Sequence, residues 1–406
     1  MMKEITKSRK LDHVAYDVRG PVLDAANAME AEGAKILKLN IGNPGAFQFR
    51  APACITNAMS GTLEDSEGYS DSKGLLEARE AIVAYDKTKG IEGVTVNDVY
   101  TGNGVSELIP MCMQALLNNG DEVLIPSPDY PLWTASATLA GGNVVHYICD
   151  EKSGWMPDIA DIRSKITPKT RAIVLINPNN PTGAVYGEDI LLQIAQIARE
   201  NGLVVFSDEI YDRLLMDGTR HVSIASLAPD LFVITLNGLS KSHLIAGYRC
   251  GWMTLSGDKS HVRGYIEGIN MLSSMRLCSN VPAQRAIKPA LADLHATRYL
   301  FEPDGRIYEQ RRACCEALDR IDGVSYVKPQ AAFYVFPKVD AKRFNITNDE
   351  QFVLDFLREQ HVLLVHGGGF HWDEPDHFRI VYLPSVDVLT KAIGKLGVFL
   401  KTYQQR

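Results

Sequence analysis

Short runs of apolar residues, rich in β-branched side chains, recur through the middle of the chain. Runs of this kind predict strands that are covered on both faces, as in an α/β sheet. The predicted strands are EVLIP (122–126), NVVHYI (143–148), RAIVLINP (171–178), GLVVFSD (202–208), LFVITLNG (231–238), CGWMTL (250–255) and a shorter one at the start of VYTGNGVSELI (99–109). Segments between them, such as residues 187–201, carry apolar residues at helical spacing. Repeated strand–helix–strand units predict a largely parallel sheet.

The pattern changes near residue 300. Helices predicted around 304–320, 348–360 and 386–402 alternate with the strands AFYVFP and HFRIVYL, which is typical of a smaller α+β domain. The N-terminal segment carries one helical stretch, at 21–33. We therefore expect an N-terminal arm with part of a small domain (1–50), a large domain (51–300) and a small C-terminal domain (301–406).

The bulk composition is ordinary for a globular protein, with 46% apolar and 22% charged residues in a chain of 406. The net charge of -7 argues against nucleic acid as a partner, because phosphate binding needs a basic surface. No apolar run approaches the length that spans a bilayer. Residues 1–17 are too polar for a secretory signal, so we expect a cytoplasmic enzyme.

Cysteine and histidine residues give no metal or disulfide pattern. The seven cysteines are odd in number and include no C-x-x-C pair, which favours reduced thiols over a disulfide framework or a zinc knuckle. Four histidines share one stretch, at His361, His366, His371 and His377, with a spacing that fits no familiar ligand set. We predict no metal site.

Residues able to do chemistry follow several of the predicted strands. Ligands of an open parallel sheet bind beyond the carboxyl ends of its strands, so these residues are expected to meet at one edge. They are Asn180 in the turn 177–183, Asp208 and Tyr211 after the next strand, Ser240 and Lys241 after the one beyond, Arg249, and a helix that begins near Val105.

Lys241 lies among small and apolar residues in NGLSKSHLIAGYRCGWM (237–253). Burial of a charged lysine is costly unless the charge is paired, and a lysine bound covalently as an imine avoids that cost. A helix N-terminus and an arginine together suit a phosphate group. The remaining groups suit an aromatic cofactor with a ring nitrogen, a phenolic oxygen and an aldehyde.

Five motifs carry a family resemblance: NGLSKSHLIAGYRCGW, NPNNPTG, SDEIYD, GYSDSKG and DHFRIVYLP. Together they resemble the class I aminotransferases, which have the fold-type I architecture and bind pyridoxal phosphate. The resemblance covers the chain from about residue 35 to its end. It implies a large domain with a mostly parallel seven-stranded sheet, a smaller α+β domain, and Lys241 as the catalytic residue that forms the Schiff base with pyridoxal phosphate.

The same resemblance implies roles for the other residues. The cofactor contacts would be Asp208 at the ring nitrogen, Tyr211 and Asn180 at the ring oxygen, Arg249, Ser240 and the backbone of Gly104, Val105 and Ser106 at the phosphate, and Tyr130 stacked on the ring. Arg379 would hold the substrate α-carboxylate, with help from Asn180 and the Gly42 backbone. Tyr69 would reach the phosphate of the neighbouring subunit, which implies a homodimer with shared active sites.

Three further stretches bear on the substrate. YDVRGPV (16–22) resembles the N-terminal arm of alanine aminotransferases, and SMRLCSNVPAQ (274–284) and PDYPLW (128–133) are similar to bacterial glutamate–pyruvate aminotransferases. We therefore expect L-alanine and 2-oxoglutarate to give pyruvate and L-glutamate by ping-pong kinetics. Tyr16 and Arg19 of the arm would meet the substrate, with Arg19 at the distal carboxylate of glutamate and Arg276 as its rival.

Several alternatives remain open within this fold. An aminotransferase for aromatic, branched-chain or aspartate substrates, or a C–S β-lyase, would share nearly every residue named above. A non-catalytic regulator that binds pyridoxal phosphate is a remote alternative, because the chain has too short a lead for a DNA-binding module. A serine hydrolase is excluded by the absence of G-x-S-x-G, and TGNG lacks the full dinucleotide fingerprint.

Overall fold

A computed structural model describes residues 5–14 and 20–406. The α-helices of the described residues are α1 Pro21–Ala31, α2 Ala53–Gly61, α3 Leu76–Thr88, α4 Val105–Leu116, α5 Leu132–Leu139, α6 Ile159–Lys165, α7 Glu188–Asn201, α8 Ile224–Leu227, α9 Leu239–Ser242, α10 Arg263–Met275, α11 Val281–Gln284, α12 Ile287–Ala292, α13 Arg306–Leu318, α14 Asp349–Gln360 and α15 Val386–Leu400. The strands are β1 Leu37–Lys38, β2 Val99–Gly102, β3 Glu122–Ser127, β4 Asn143–Asp150, β5 Met156–Pro157, β6 Thr170–Ile176, β7 Val204–Asp208, β8 Val233–Gly238, β9 Gly251–Ser256, β10 Val324–Ser325, β11 Tyr334–Val335, β12 Lys338–Val339, β13 Val362–Leu363, β14 Val365–His366 and β15 Phe378–Val381.

An eight-stranded mixed sheet forms the centre of the fold, in the order β2-β9-β8-β7-β6-β3-β4-β5. Strands β8, β7, β6, β3 and β4 are parallel, whereas β9 runs antiparallel to both of its neighbours. Each strand predicted for this region is present, so the α/β class with a mostly parallel sheet is confirmed. The eighth strand, β5, adds an antiparallel edge of two residues beside β4, too short for a hydrophobic pattern to reveal.

Apolar residues on both faces explain why the central strands are uniformly hydrophobic. In β6, Ile173 and Leu175 belong to one buried cluster, whereas Val174 and Ile176 belong to another on the opposite face. The period of two follows from the alternation of side chains along a strand. Helices α3 and α7 contribute to the first cluster, and α4 and α10 contribute to the second.

A third buried cluster joins the two ends of the chain. Val22 and Ala26 of α1 lie in the same core as Phe352 and Phe356 of α14. Strand β1 pairs in parallel with β13, so the segment before residue 50 contributes to the same unit as the C-terminal residues. The division at 1–50, 51–300 and 301–406 stays a prediction.

The carboxyl ends of the parallel strands point to one edge of the sheet, as the strand order requires. Strand β7 ends at Asp208, and β8 runs directly into the short helix α9, which carries Lys241. None of the helices in the described part of the chain is long and apolar enough to cross a membrane.

Candidate active site

A cavity of about 190 Å³ lies at this edge. The residues expected from the sequence that line it are Gly42, Val105, Ser106, Tyr130, Asn180, Asp208, Tyr211, Ser240, Lys241, Arg249 and Arg379. They come from segments that are far apart in the chain. The fold therefore brings together most of the groups that the motifs indicate.

The amine of Lys241 faces the N-terminal segment of the chain. Its Nζ donates a hydrogen bond to the carbonyl oxygen of Gly42, at 2.9 Å. Gly42 itself has no room for a side chain, because a Cβ atom there would lie 2.2 Å from the hydroxyl oxygen of Tyr334. The backbone at residue 42 thus approaches both the lysine and the opposite wall of the cavity.

Asp208 is a buried carboxylate at the end of β7. Among the described residues, its donors are Trp133 Nε1, at 3.1 Å, and the Ile210 N–H, at 3.3 Å. Burial raises the pKa of Asp208 to about 6, and the negative charge of Glu209 acts in the same direction. A protonated ring nitrogen beside this carboxylate would favour its charged form.

Two tyrosines form the next part of the wall. The hydroxyl oxygens of Tyr211 and Tyr334 are 2.9 Å apart, and their rings meet edge to face. Burial raises the pKa of Tyr211 well above its ordinary value, so this hydroxyl keeps its proton and can donate a hydrogen bond.

Arg379 lies on β15 and is buried. Its Nη1 donates to Asn180 Oδ1 at 2.8 Å, and its Nη2 donates to the carbonyl oxygen of Asn40. The guanidinium lies over the rings of Tyr334 and Phe370, with its carbon 4.4 Å and 4.6 Å from their centroids. These contacts fix the plane of the guanidinium, which suits bidentate binding of a carboxylate.

The first turn of α4 and Arg249 form the opposite end of the cavity. Arg249 Nη2 donates to Ser106 Oγ at 2.7 Å and to the Asn103 carbonyl at 2.9 Å. Gly104 precedes the helix with a φ of 79°, and a Cβ atom there would lie 2.2 Å from Arg249 Nη2. Unpaired N–H groups at a helix start and an adjacent guanidinium form an anion-binding site.

Five of the residues named from the sequence do not line the cavity or lie outside the described part of the chain. Gly104 does not line the cavity itself, but it lies next to Arg249, which does. Tyr69 is 82% exposed on the surface. Tyr16 and Arg19 lie outside the described residues. Arg276 is absent from the cavity lining, and its guanidinium donates to Glu107 and to the carbonyl oxygens of Thr101 and Ser72.

Two further side chains belong to this site although the sequence does not identify them. Tyr334 lies on β11, which pairs with β15. The sequence predicts this strand but does not show that the Tyr334 side chain lines the cavity. Trp133 stands in PDYPLW, and its bond to Asp208 depends on how α5 packs against the end of β7. A tyrosine in a short apolar strand is the one local signal, and it does not separate a core residue from a site residue.

The site fits pyridoxal phosphate on two observations. Asp208 is buried with a raised pKa, as expected where a ring nitrogen would supply the missing positive charge. The absence of a side chain at Gly104 leaves the turn before α4 open next to Arg249, where a Cβ atom would close it. Lys241 lines the same cavity as Asp208 and Arg249.

Comparison with known proteins agrees with this geometry. Residues 34–396 match the family model for aminotransferase class I and II. The chain is 58% identical to glutamate-pyruvate aminotransferase AlaA of Haemophilus influenzae, over 100% of both chains. It is 53% identical to alanine aminotransferase of Mycobacterium tuberculosis, over 99% of this chain and 94% of that protein.

The fold is also similar to that of a solved structure. The crystal structure of an aminotransferase from Escherichia coli superposes with a TM-score of 0.98, at 56% identity over 100% of both chains. The family match and the full-length similarity support the same assignment. The chain belongs to the class I and II aminotransferases, which use pyridoxal phosphate as their cofactor.

Proposed function

We propose that this aminotransferase transfers the amino group of L-alanine to 2-oxoglutarate, reversibly, and forms pyruvate and L-glutamate. The names of the full-length relatives from Haemophilus influenzae and Mycobacterium tuberculosis support this pair of substrates. The observation that carries the reaction type is one cavity lined by the amine of Lys241, the buried carboxylate of Asp208 and the guanidinium of Arg379.

The chemistry divides between cofactor and protein. Pyridoxal phosphate supplies an aldehyde that takes the amino group and a ring that withdraws electrons from the substrate α-carbon. Arg379 binds the α-carboxylate as a bidentate pair, and its bond to Asn180 sets the direction of the clamp. Lys241 then moves the proton between the α-carbon and the cofactor, as a general base and acid.

The remaining groups would hold the cofactor in position. Asp208 would keep the ring nitrogen protonated, and the hydroxyl of Tyr211 and the amide of Asn180 would donate to the ring oxygen. Tyr130, which lines the cavity, would stack on the ring. The phosphate would be bound by Arg249, Ser240 and the backbone of Gly104, Val105 and Ser106.

Recognition of the distal carboxylate of glutamate falls to the N-terminal arm in this proposal. Arg19 is the expected cation and Tyr16 its neighbour at the substrate, since the site must accept both a methyl group and a dicarboxylate. The engagement of Arg276 with Glu107, Thr101 and Ser72 supports Arg19 over this rival.

A homodimer with shared active sites is part of the proposal. Tyr69 is 82% exposed, and Met271, Met275 and Leu277 are 61%, 75% and 52% exposed. Ser273 Oγ donates to the Ser72 carbonyl, which brings the end of α10 close to the loop that carries Tyr69. Exposed apolar side chains of this size beside the loop support burial by a second copy of the chain. We expect the dimer to be located in the cytoplasm.

The experiment is a coupled assay for pyruvate. We expect pyruvate from L-alanine only when 2-oxoglutarate is present, with parallel double-reciprocal lines as both substrates are varied. L-aspartate, L-valine and L-tyrosine serve as comparison donors at the same concentration. A keto acid that forms without a second keto acid would indicate a lyase. Faster turnover of another donor would keep the reaction class but refute alanine as the substrate.

A further inference from the structure

Residues 208–212, at the end of β7 and in the turn after it, include three acidic residues that face two different environments. Asp208 lines the cavity, whereas Glu209 and Asp212 are buried and do not line it. Both of these carboxylates contact the Nζ of Lys89, which follows α3 directly. The Lys89 side chain is only 11% exposed. The turn that presents Asp208 and Tyr211 is therefore joined to α3 by a buried ammonium.

Hydrogen bonds extend this contact to the end of β7, to the start of α8 and to the neighbouring strand β8. Ser207 and Ser223 donate to Glu209 Oε1, at 2.8 Å and 2.6 Å. Asn237 Nδ2 donates to Asp212 Oδ2 at 2.7 Å, and Asn237 Oδ1 accepts from the Gly238 N–H at 2.7 Å. Gly238 ends β8, three residues before Lys241. One network thus links the segments that carry the cofactor's carboxylate partner and the catalytic lysine.

Lys89 offsets part of the negative charge of the network. Burial opposes ionisation of Glu209 and Asp212, yet attraction to Lys89 holds the pKa of both below the ordinary values. Burial lowers the pKa of His221, whose Nε2 is 3.9 Å from Glu209 Oε2, so this ring is neutral at pH 7. Asp86, the other acid near Lys89, has its pKa raised by burial to about 7.

The Lys89 ammonium also lies beside a group of side chains that could otherwise bind a metal ion. Ligand atoms of Glu209, Asp212 and His221 lie within 4.8 Å of one another, a spacing that could hold a metal ion. The Lys89 Nζ contacts both carboxylates of this set, with 2.9 Å to Asp212 Oδ2. A fixed side chain therefore compensates the acids without an exchangeable ion.

We propose that Lys89 is a positioning residue of the cofactor site, whose ammonium anchors Glu209 and Asp212 and so fixes the place of Asp208 and Tyr211. Lys89 touches neither cofactor nor substrate and acts through the turn 208–212. Residues that orient a reactive group are worth about 10-fold to 100-fold in affinity or activity where they have been removed from comparable sites. The inference rests on the proposed role of Asp208 and is independent of the choice of alanine as substrate.

The test compares Lys89→Met, Lys89→Arg and the control Lys87→Met, an exposed lysine two residues away. Cofactor is removed from each variant, and pyridoxal phosphate is titrated back while protein fluorescence is followed. We expect Lys89→Met to raise the Kd about 10-fold or more. Lys89→Arg should restore binding, because a guanidinium keeps the positive charge and can donate hydrogen bonds to carboxylates. Lys87→Met should match the parent protein.

A second readout separates positioning from a general loss of stability. Lys89→Met leaves one additional uncompensated negative charge beside Asp208, so the pH midpoint of the bound cofactor's absorbance should rise. In the double variant Lys89→Met, Glu209→Gln this charge is removed, and the midpoint should return while the Kd stays weakened. The double variant also leaves less unpaired buried charge, so it is measured whether or not Lys89→Met folds.

Parental affinity and a parental midpoint in a folded Lys89→Met protein, or parental affinity in the double variant, would overturn the inference. A Lys89→Arg protein as weak as Lys89→Met would do the same, because a positive charge at this position would then not be what anchors the turn. The parent protein is titrated first. If it fails to bind pyridoxal phosphate, the proposed function fails; if it binds and the variants match it, only the role of Lys89 fails.

Discussion

Arg379 Nη1 donates a 2.8 Å hydrogen bond to Asn180 Oδ1 across a separation of 199 residues in the chain. The bond joins β15 to the turn after β6, at the wall of the cavity. With the rings of Tyr334 and Phe370 packed against it, the guanidinium has little freedom to rotate. A clamp fixed in this way loses little entropy when a carboxylate binds.

Arg379→Lys should therefore weaken substrate use strongly while cofactor binding stays intact. A lysine keeps the charge but loses the planar fork, and a charge-assisted hydrogen bond contributes about 1.5–3 kcal/mol. We expect kcat/KM for L-alanine to fall about 10-fold to 150-fold, as measured by the coupled pyruvate assay. The exposed Arg358→Lys, on α14, is the control. Equal kcat/KM values for the two variants would contradict the assignment.

Gly104→Ala should disrupt the phosphate end of the site. The new Cβ atom would lie 2.2 Å from Arg249 Nη2, so the guanidinium must leave its bonds to Ser106 and Asn103. We expect the Kd for pyridoxal phosphate to rise about 10-fold or more, because a charge-assisted contact is lost. Gly93→Ala is a matched control, with a similar φ of 71° and no atom within 4 Å of the added Cβ.

The control separates backbone strain from the contact with Arg249. Both substitutions place a side chain at positive φ, and backbone strain of this kind costs about 1–3 kcal/mol of folding free energy. Only Gly104→Ala should also lose cofactor affinity. A Gly93→Ala protein with an equally raised Kd would show that general strain, and not the loss of room beside Arg249, weakens binding.

Asp208 should give the cofactor-free protein a stability that falls as the pH rises. The folded pKa is about 6, above an unfolded value of about 3.9, so the folded state binds more protons between these values. The penalty is absent below about pH 4 and complete above about pH 6, where it reaches about 2–3 kcal/mol. Urea unfolding of the cofactor-free protein at pH 4 and pH 8 measures most of it. An equal fall of the unfolding free energy with pH in Asp208→Asn would show that Asp208 is not its cause.

The proposed dimer predicts complementation between two defective chains. Tyr69→Phe removes one hydrogen bond to the phosphate and should weaken cofactor binding about 10-fold, whereas Lys241→Ala should abolish turnover. In a mixed dimer, the Tyr69→Phe chain would keep Lys241 and receive an intact tyrosine from the Lys241→Ala chain. We expect one fully active site per mixed dimer, and no gain of activity on mixing would refute the shared site.

Residues inside contiguous motifs were the ones that sequence reasoning could predict. Lys241, Asp208 and Asn180 each follow a recognisable apolar strand, so the parallel sheet brings them to one edge. The strand pattern was equally informative, because burial on both faces leaves a continuous hydrophobic run. The edge strand β5 has only two residues and carries no such pattern.

Long-range pairings were beyond the reach of the sequence. Lys89 reads as a surface lysine at the end of an amphipathic helix, and only the fold shows that two acids more than 100 residues away surround it. His371 belongs to a stretch of histidines whose spacing indicates no metal site. The structure stacks it on His146, with ring centroids 4.7 Å apart, and places its Nδ1 2.7 Å from Asp129 Oδ1.

The absorbance spectrum of the purified protein, before and after L-alanine, tests the role of Lys241 and the proposed substrate together. We expect a yellow band from cofactor held at Lys241, which L-alanine alone converts to the aminated form and 2-oxoglutarate restores. The Lys241→Ala protein should lack this cycle. A band that ignores alanine and responds to another amino acid would contradict the proposed substrate. No band after addition of pyridoxal phosphate would contradict the role of Lys241 itself.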